Sequence, residues 1–543
     1  MNRREFLLTS AGIAAGAASC ESFRPEGTSS QISGAFAGPS VQIGHLLRDG
    51  GIPAPDRERR ATVVIVGGGI AGLSTGWKFQ RAGFHDFELL ELEPEVGGNA
   101  ISGVNDYTPY PWGAHYVPQP TPESKSVIEL FEDLGVIEGR SPSGAPIYQE
   151  RMLCFDPQER LFLHGRWQQD LLPTVGVAQL ELDQYQHFHE VIDRYAAYRD
   201  EEGRKAFAIP MERSSRDPDL LALDRLSMRD FLLQNGLDSP SLHWYVDYAC
   251  RDDYGCRSAD VSAWAGIHYF ASRPGHNRED APVLTWPEGN GWIVKQLRKR
   301  LEARITTNAL VYGLKPHRSG VMVDVYYPRE GRSERLMAQD VVCACPTHLV
   351  PYLIPDMPSS RKDTLRSFEY APWMVANLTL KGFPKEPPGG TPLCWDNVIY
   401  DSDSLGYVVA THQSLRTQLD GTVFTCYYPL TGQDPVKERH RLLETGWSAW
   451  VEVILKDLSR PHPDSPGLIQ HIDLYRWGHA MVRPRPGFVW GEARRLAAEA
   501  CGRITFAHSS LSGFSLFEEA QYRGVYAAER LLTQYQIPFV SSI

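Results

Sequence analysis

The sequence lacks an excess of basic residues. Its 543 residues include 55 Lys and Arg against 66 Asp and Glu, which gives a formal net charge of -11 at pH 7. Because a nucleic-acid partner requires basic surface to meet the phosphates, this balance argues against one. It is compatible with a cationic small-molecule substrate, although acidic proteins are common.

The cysteines show no spacing that is typical of a metal site or of disulfide pairs. The nine cysteines include no Cys-x-x-Cys pair and no zinc-ligand spacing, so the sequence predicts no metal site. Thiols this scattered in a chain this long do not indicate a disulfide framework. Cys343 and Cys345 lie in an apolar stretch, where buried thiols are expected.

After the first twenty residues, no run is apolar enough to span a bilayer. The chain starts with Arg3-Arg4 and a short apolar run to Ala18, which resembles a twin-arginine export signal. Cys20 then occupies the place of a lipoprotein processing cysteine. We expect a periplasmic or extracytoplasmic protein, exported by the twin-arginine machinery, with Cys20 as a candidate site of lipid attachment to the membrane. The alternative is a chance basic N-terminus before a disordered tail.

A glycine-rich turn is the strongest motif. The β-branched run Thr62–Val66 predicts a buried strand, and an amphipathic helix follows to about Ala82. Gly67, Gly69 and Gly72 between them have the G-x-G-x-x-G spacing of a dinucleotide-binding turn. Ile70 and Ala71 begin the helix, whose N-terminus would face the pyrophosphate.

A second predicted strand, Phe87–Leu90, ends at Glu91, about 20 residues after the glycines. A carboxylate there can accept hydrogen bonds from a ribose 2′-hydroxyl. Strand, turn, helix and acid together predict an adenine dinucleotide site.

Glu91, five further residues and Gly97-Gly98 resemble the extended motif of the flavin amine oxidase superfamily. That superfamily includes amine oxidases, protoporphyrinogen oxidases and phytoene desaturases. The resemblance implies FAD, with both glycines carrying the chain past the cofactor. Asn99 stands where the superfamily usually has arginine.

Other segments match the same superfamily in order. Gly113, Ala114 and His115 resemble the element that passes close to the flavin ring, and His115 would face the ring or substrate. Val311 occupies the strand position that would present its backbone to the adenine. Trp477 falls in the resembling aromatic strand and would form a wall beside the flavin.

The region around Asn377 resembles the strand where amine oxidases place a lysine near the flavin. If Asn377 takes that place, the ammonium group is lost, and with it support for reoxidation by oxygen. The alternative alignment puts Leu378 there.

The C-terminal block Ile504–Leu532 resembles the closing motif of the superfamily. Phe514 would be a flavin wall, and the helix after it would point its amides at the flavin pyrimidine. His508 and Ser509 depart from the usual glycine and acid, although Ser509 can still form one hydrogen bond to the cofactor. No cysteine lies where a covalent flavin link is expected, so the resemblance implies noncovalent FAD.

Between about residues 120 and 275 the pattern is mostly helical and resembles an inserted cap that selects the substrate. Within it, Trp244–Tyr254 mixes aromatic residues with Asp247, Asp252 and Asp253. Acids beside aromatics can hold an ammonium group by charge and cation–π contact. A helix with a solvated charged face would look the same, and we favour that interpretation from sequence alone.

The expected fold is α/β, with a Rossmann-like FAD-binding domain of the glutathione reductase type and an inserted substrate domain of mixed sheet and helices. The expected divisions are a signal peptide at 1–20, a linker at 21–58, an FAD-binding domain at 59–118, 281–350 and 482–543, and a substrate domain at 119–280 and 351–481.

Three functional hypotheses follow. The first is an exported FAD-dependent oxidoreductase that oxidises an amine by hydride transfer to the flavin. The second is an FAD-dependent desaturase or isomerase of an apolar, polyene-like or lipid substrate. The third is a dinucleotide-binding protein without activity, for which the departures at Asn99, His508 and Ser509 are the support.

Overall fold

The structure, a computed structural model, describes residues 32–273 and 282–543. The predicted export signal, Cys20 and part of the predicted linker lie outside the described residues, as do residues 274–281 of the cap.

Strands of the described residues form two large sheets and three two-stranded ones. In chain order they are β1 Ser33–Ala37, β2 Arg57–Val66, β3 Phe87–Leu90, β4 Ser102–Val104, β5 Pro109–Pro111, β6 Tyr116–Val117, β7 Ile137–Arg140, β8 Pro146–Tyr148, β9 Glu159–Leu163, β10 Arg166–Gln169, β11 Leu284–Thr285, β12 Ile305–Thr306, β13 Leu310–His317, β14 Gly320–Tyr327, β15 Arg332–Cys343, β16 Tyr370–Leu380, β17 Asp396–Ile399, β18 Tyr407–Val409, β19 Thr422–Pro429, β20 Ile469–Val482 and β21 Ile504–Phe506.

Helices cover both sheets. In chain order they are α1 Val41–Gly44, α2 Leu46–Asp49, α3 Ile70–Arg81, α4 Lys125–Asp133, α5 Gln179–Ala197, α6 Pro218–Ala222, α7 Met228–Gln234, α8 Pro240–Tyr254, α9 Ala263–Ala271, α10 Gly291–Leu301, α11 Val350–Leu353, α12 Ser359–Arg366, α13 Pro435–Glu444, α14 Trp447–Leu458, α15 Glu492–Ala497 and α16 Phe517–Gln534.

The first sheet is the dinucleotide-binding sheet. Its strand order is β12-β3-β2-β15-β14-β13, with β21 also paired to β15. Strands β12, β3, β2, β15 and β21 run parallel, so their C-terminal ends share one edge, where open α/β sheets bind ligands. The predicted α/β fold class is confirmed, and the predicted strand–turn–helix–strand unit is observed as β2, the glycine turn, α3 and β3.

The second sheet is mixed and has the order β1-β20-β16-β19-β18-β17-β9-β10. Four strands from the 351–481 region, β16 to β19, and most of β20 form its centre, as the alternating pattern there predicts. Strands β9 and β10 come from the predicted helical insertion. The remainder of that insertion supplies helices α5 to α9, whose apolar faces share one buried cluster.

The linker interpretation is wrong for part of residues 21–58. Strand β1 pairs in parallel with β20, from Ser33 opposite His471 to Ala37 opposite Tyr475. Ser40 then donates its backbone N–H and its hydroxyl to the Glu93 carboxylate, each at 2.8 Å. A short strand rich in small residues has little apolar periodicity, so its sequence gives no signal of sheet pairing.

The last helix packs directly on the helix of the glycine turn. A Cβ atom added at Gly524 of α16 would lie 2.2 Å from the Ala71 carbonyl oxygen of α3. Two predicted segments far apart in sequence are therefore in contact, and only glycine permits this separation.

We expect Gly524→Ala to lower the free energy of unfolding by about 1–3 kcal/mol, because the new methyl group pushes α16 off α3. This exceeds the roughly 1 kcal/mol that alanine gains over glycine in a helix. Chemical denaturation checks it, with Gly382→Ala as control because nothing lies within 4 Å of a Cβ there. Equal stability of both variants would contradict the close packing.

None of the described helices is long and apolar enough to cross a membrane.

Candidate active site

The glycine turn has the geometry that a dinucleotide phosphate requires. Gly67 has a φ of +102°, and a Cβ at Gly72 would lie 1.9 Å from the Gly67 carbonyl oxygen. Gly69 is different, because the nearest atom to its added Cβ is the Gly98 Cα at 4.0 Å. The first and third glycines serve the turn and the packing, and the second leaves its backbone open to a ligand.

Glu91 lies beside this turn. Its carboxylate accepts hydrogen bonds from the Gly68 N–H at 2.6 Å and the Glu93 N–H at 2.9 Å. Burial raises the pKa of Glu91, although these two hydrogen bonds act to lower it. The Gly97 N–H donates to the Gly68 carbonyl at 2.8 Å, which fixes the second glycine pair against the first turn.

A cavity lies between the mixed sheet, helix α8 of the cap and the start of α16. Five residues that the sequence predicts to contact the cofactor or substrate line this cavity. They are Asn99, Gly113, Ala114, His115 and Trp477. Residues Ser515 to Glu518, at the start of α16, also line it. The segment predicted to point its amides at the flavin therefore reaches the cavity.

His115 is held as a neutral ring in this cavity. Its ring stacks on Tyr427 with 4.6 Å between centroids, and burial lowers the pKa of His115 to about 4. The Tyr427 hydroxyl donates to the Gly113 carbonyl at 2.9 Å, so one tyrosine holds both the ring and the loop before it. Trp477 donates its indole N–H to the Trp112 carbonyl at 2.7 Å, beside the same loop.

Two asparagines connect the walls of the cavity. Asn99 donates its side-chain amide to the Ala480 carbonyl at 2.8 Å, and its own carbonyl accepts from the Ala114 N–H at 2.9 Å. Asn290 donates to the Tyr116 carbonyl at 3.1 Å, while its Oδ1 is buried with no hydrogen-bond partner among the described residues. A buried acceptor without a partner at a cavity wall fits a ligand that donates a hydrogen bond.

Four acids also line the cavity. They are Asp252 and Asp253 of α8, Asp396 of β17 and Glu518 of α16. Arg273 pairs with Asp253, and the Tyr116 hydroxyl donates to Asp252 at 3.3 Å. The solvated-helix interpretation of the Asp252-Asp253 pair is therefore wrong, because both residues face the cavity.

Burial holds these acids toward their neutral forms. Burial, with repulsion from Asp253, raises the pKa of Asp252 to about 7. Burial likewise raises the pKa of Glu518 to about 7 and that of Asp396 well above its usual range. Glu159 does not line the cavity, but repulsion from it helps to raise the pKa of Asp396. Burial raises the pKa of Glu159 itself to about 7.

Comparisons with known proteins were consistent with this geometry. A family model for NAD(P)-binding Rossmann-like domains matches residues 65–134. No curated protein matches the chain in sequence. In structure, the chain is similar to putrescine oxidase bound to putrescine, at 16% identity and a TM-score of 0.65, over 88% of this chain and 100% of that chain.

A cyclohexylamine oxidase from Brevibacterium oxydans IH-35A is similar at 13% identity and a TM-score of 0.62, over 88% of this chain and 100% of that one. A CLA-producing fatty acid isomerase from P. acnes is similar at 15% identity and a TM-score of 0.60, over 88% of this chain and 98% of that one. The chain has the fold of the FAD-dependent amine oxidases.

Two of the predicted catalytic residues do not line the cavity of this amine oxidase fold. Phe514 is fully buried in the helical cap cluster, where it stacks on His268 with 4.9 Å between centroids, so the prediction of Phe514 as a flavin wall is wrong. Asn377 shares a face of β16 with the cavity residues Trp373 and Val375 but lies further along.

The amide of Asn377 forms two hydrogen bonds at that position. It donates to the Pro111 carbonyl at 3.0 Å and accepts from the Thr425 hydroxyl at 2.6 Å. The expected place beside the cavity is therefore corrected to a structural contact between β16, β19 and β5. Val311 and Ser509 also lie outside the cavity lining, Val311 on the edge strand β13 and Ser509 directly after His508.

Sequence reasoning missed Asp396, Glu159 and Arg273. Asp396 and Glu159 lie on β17 and β9, which pair in parallel with these two residues opposite each other. An acid in a strand carries no sign of which face it occupies, so only the pairing shows that these two lie on the same face of the sheet.

Proposed function

We propose that the chain is an FAD-dependent oxidoreductase that oxidises an amine. The observation that carries this proposal is the placement of Asp252 and Asp253 on the wall of an aromatic cavity in a fold shared with two amine oxidases. Buried acids beside aromatic rings attract a cation and offer little to an apolar chain.

The residues present fit FAD. The open backbone at Gly69 suits the diphosphate, Glu91 suits the ribose, and the cavity walls at Asn99, His115 and Trp477 suit the flavin ring. When bound, FAD supplies the two-electron acceptor for the oxidation. We propose that it is bound noncovalently, in line with the absence of a cysteine at the expected linkage position.

The protein's own residues bind and orient the substrate. Ionised Asp252 attracts the ammonium group, while Tyr116, hydrogen-bonded to Asp252, keeps that carboxylate directed along the cavity wall. Aromatic walls from Tyr248 and Tyr427 exclude water and contact the substrate carbons. His115, being neutral, adds no charge that would repel the cation.

A second candidate is isomerisation or desaturation of an apolar substrate, which the similarity to a fatty acid isomerase supports. It requires the acids on the cavity wall to stay protonated, which their raised pKa values allow at low pH.

Anaerobic reduction of the bound flavin distinguishes the candidates. We expect primary and secondary amines to bleach the visible flavin band, and polyenes, fatty acids and steroids to leave it unchanged. Bleaching by the apolar panel alone would contradict the amine proposal, and a chain that binds flavin but is reduced by neither panel would support the non-catalytic alternative.

Binding of a cation should strengthen as pH rises through 7. A quaternary ammonium inhibitor keeps its charge at every pH, so a change in its affinity reports on the protein. Asp252 is largely neutral below pH 7 and ionised above it, so the inhibition constant should fall several-fold between pH 6 and pH 8. Competition kinetics measure this, and an affinity that weakens with pH would contradict the assignment of Asp252.

We also propose export by the twin-arginine machinery to a periplasmic or extracytoplasmic location. Arg3-Arg4, the short apolar run and Cys20 support it. Mass spectrometry of the mature N-terminus would test both cleavage and lipid attachment at Cys20.

A further inference from the structure

Three histidines from separate parts of the chain meet beside the dinucleotide-binding edge. The rings of His348 and His479 stack with 4.1 Å between centroids and 15° between planes. His508 lies close enough for its positive charge to lower the pKa of His348. We refer to His348, His479 and His508 as the histidine cluster.

The cluster lies at the C-terminal ends of parallel strands. His348 follows β15, and His508 follows β21. The Ala344 N–H donates to the Val66 carbonyl at 2.8 Å, and the Ala507 N–H donates to the Cys343 carbonyl at 2.9 Å. These bonds place the segments that lead to both histidines next to the end of β2, where the glycine turn begins.

His479 connects the cluster to the cavity. It lies on β20 between Trp477 and Ala480, which both line the cavity. Asn99, at the end of the second glycine pair, holds the Ala480 carbonyl. The chain segments that carry the cluster are therefore next to the glycine turn and to the cavity wall at Trp477 and Ala480.

The polar atoms of the cluster are incompletely satisfied. His348 Nδ1 is buried without a hydrogen-bond partner among the described residues. His508 Nδ1 accepts from the Ser510 N–H at 3.1 Å, so in the neutral ring the proton is on Nε2, which is directed away from that contact.

Each charged group that shifts the pKa of His348 or His479 is itself basic. His348 is affected by His479, His508 and Arg439, and His479 is affected by Arg439 and by His45 near the N-terminus. Arg439, on α13, donates to the Gly478 carbonyl at 2.8 Å. Tyr370 packs against both His348 and His479, and its ring is neutral at ordinary pH.

We propose that His348, His479 and His508 form a subsite for the diphosphate of the bound dinucleotide and take up protons when that anion binds. The inference rests on the proposed function in requiring that the chain bind a dinucleotide. The superfamily usually has an arginine at the position of Asn99, and asparagine carries no charge. The histidine cluster adds a charged contact to the site.

The sign of the pH effect follows from the free protein. Partial desolvation, with repulsion from neighbouring basic groups, lowers the pKa of His479, and burial lowers that of His508 to about 4. Burial and the same repulsion lower the pKa of His348 well below its usual range. The rings are therefore neutral before the anion arrives. A diphosphate raises these pKa values, so binding takes up protons and weakens as pH rises through the pKa values of the complex.

The experiment titrates apoprotein with FAD and with riboflavin, which lacks the diphosphate, and follows flavin fluorescence at pH 6 and pH 8. We expect the dissociation constant of FAD to rise about tenfold per pH unit for each proton taken up, and that of riboflavin to stay nearly constant. The riboflavin arm also reports any effect of the cavity acids Asp252 and Glu518, which titrate in the same range.

Variants locate the effect. His479→Asn and His348→Asn should weaken FAD binding at pH 6 by about tenfold and reduce its pH dependence, with riboflavin unaffected. His187→Asn, on the exposed side of α5 in the cap, is the matched control and should behave as wild type.

Two results would overturn the inference. FAD affinity that is independent of pH in the wild type, with flavin otherwise bound, would overturn the histidine subsite and leave the proposed function standing. Failure to bind either flavin at any pH would overturn the proposed function and the subsite with it. The wild-type pH profile needs no variant, so the test holds even if a substituted protein fails to fold.

Discussion

The variant Gly69→Val is expected to fold and to lose its flavin. In the free protein the nearest atom to a Cβ at Gly69 is 4.0 Å away, and the backbone there has an ordinary φ of -71°. The β-carbon of the valine therefore causes no strain in the protein itself. It occupies the space over the turn where the diphosphate must approach the backbone.

We expect affinity for FAD to fall by at least about 100-fold, equivalent to roughly 2.8 kcal/mol. The flavin absorbance of the purified variant measures the loss, and circular dichroism confirms the fold. Gly382→Val is the control, because that glycine also has open space around it but lies outside the site. A Gly69→Val protein that keeps a full complement of flavin would place the cofactor elsewhere.

The second large effect concerns Asp252. Asp252→Asn removes the negative charge and keeps the shape and the contact to Tyr116. Loss of one buried charged partner costs about 2–5 kcal/mol, so kcat/KM for amines should fall on the order of 100-fold or more at pH 8. Because Asp252 is mostly protonated below pH 7, the loss should be smaller at pH 6.

Steady-state kinetics with an amine at both pH values test this expectation. Asp403→Asn is the matched control, because Asp403 is an acid whose side chain is 87% exposed and does not line the cavity. A flavin-loaded Asp252→Asn enzyme with wild-type kinetics at pH 8 would show that the cavity acids do not bind the substrate.

Local motifs could be predicted from the sequence where the contacts are themselves local. The turn at Gly67, Gly69 and Gly72, strand β3 and Glu91 lie within about thirty residues, and their spacing follows from the geometry of one strand–turn–helix–strand unit. His115 and Trp477 reach the cavity as the resemblance implies, because motif order along the chain preserves position in the fold.

Other features depend on pairing between distant segments. Asp396 and Asp252 share a wall only because β17 of the mixed sheet meets α8 of the cap, and no local pattern encodes that meeting. The resemblance predicts Phe514 beside the flavin, yet helix α9 of the cap supplies His268 and Trp264, which stack on it. Strand β1 joins β20 through backbone hydrogen bonds, to which its side chains contribute little.

The visible absorption spectrum of the purified chain, before and after denaturation, tests the central claim most directly. If the glycine turn and the start of α16 hold one FAD, the native protein shows a flavin spectrum at about one per chain, and denaturation releases free FAD into solution. A colourless protein that gains no flavin band on incubation with FAD would contradict the account.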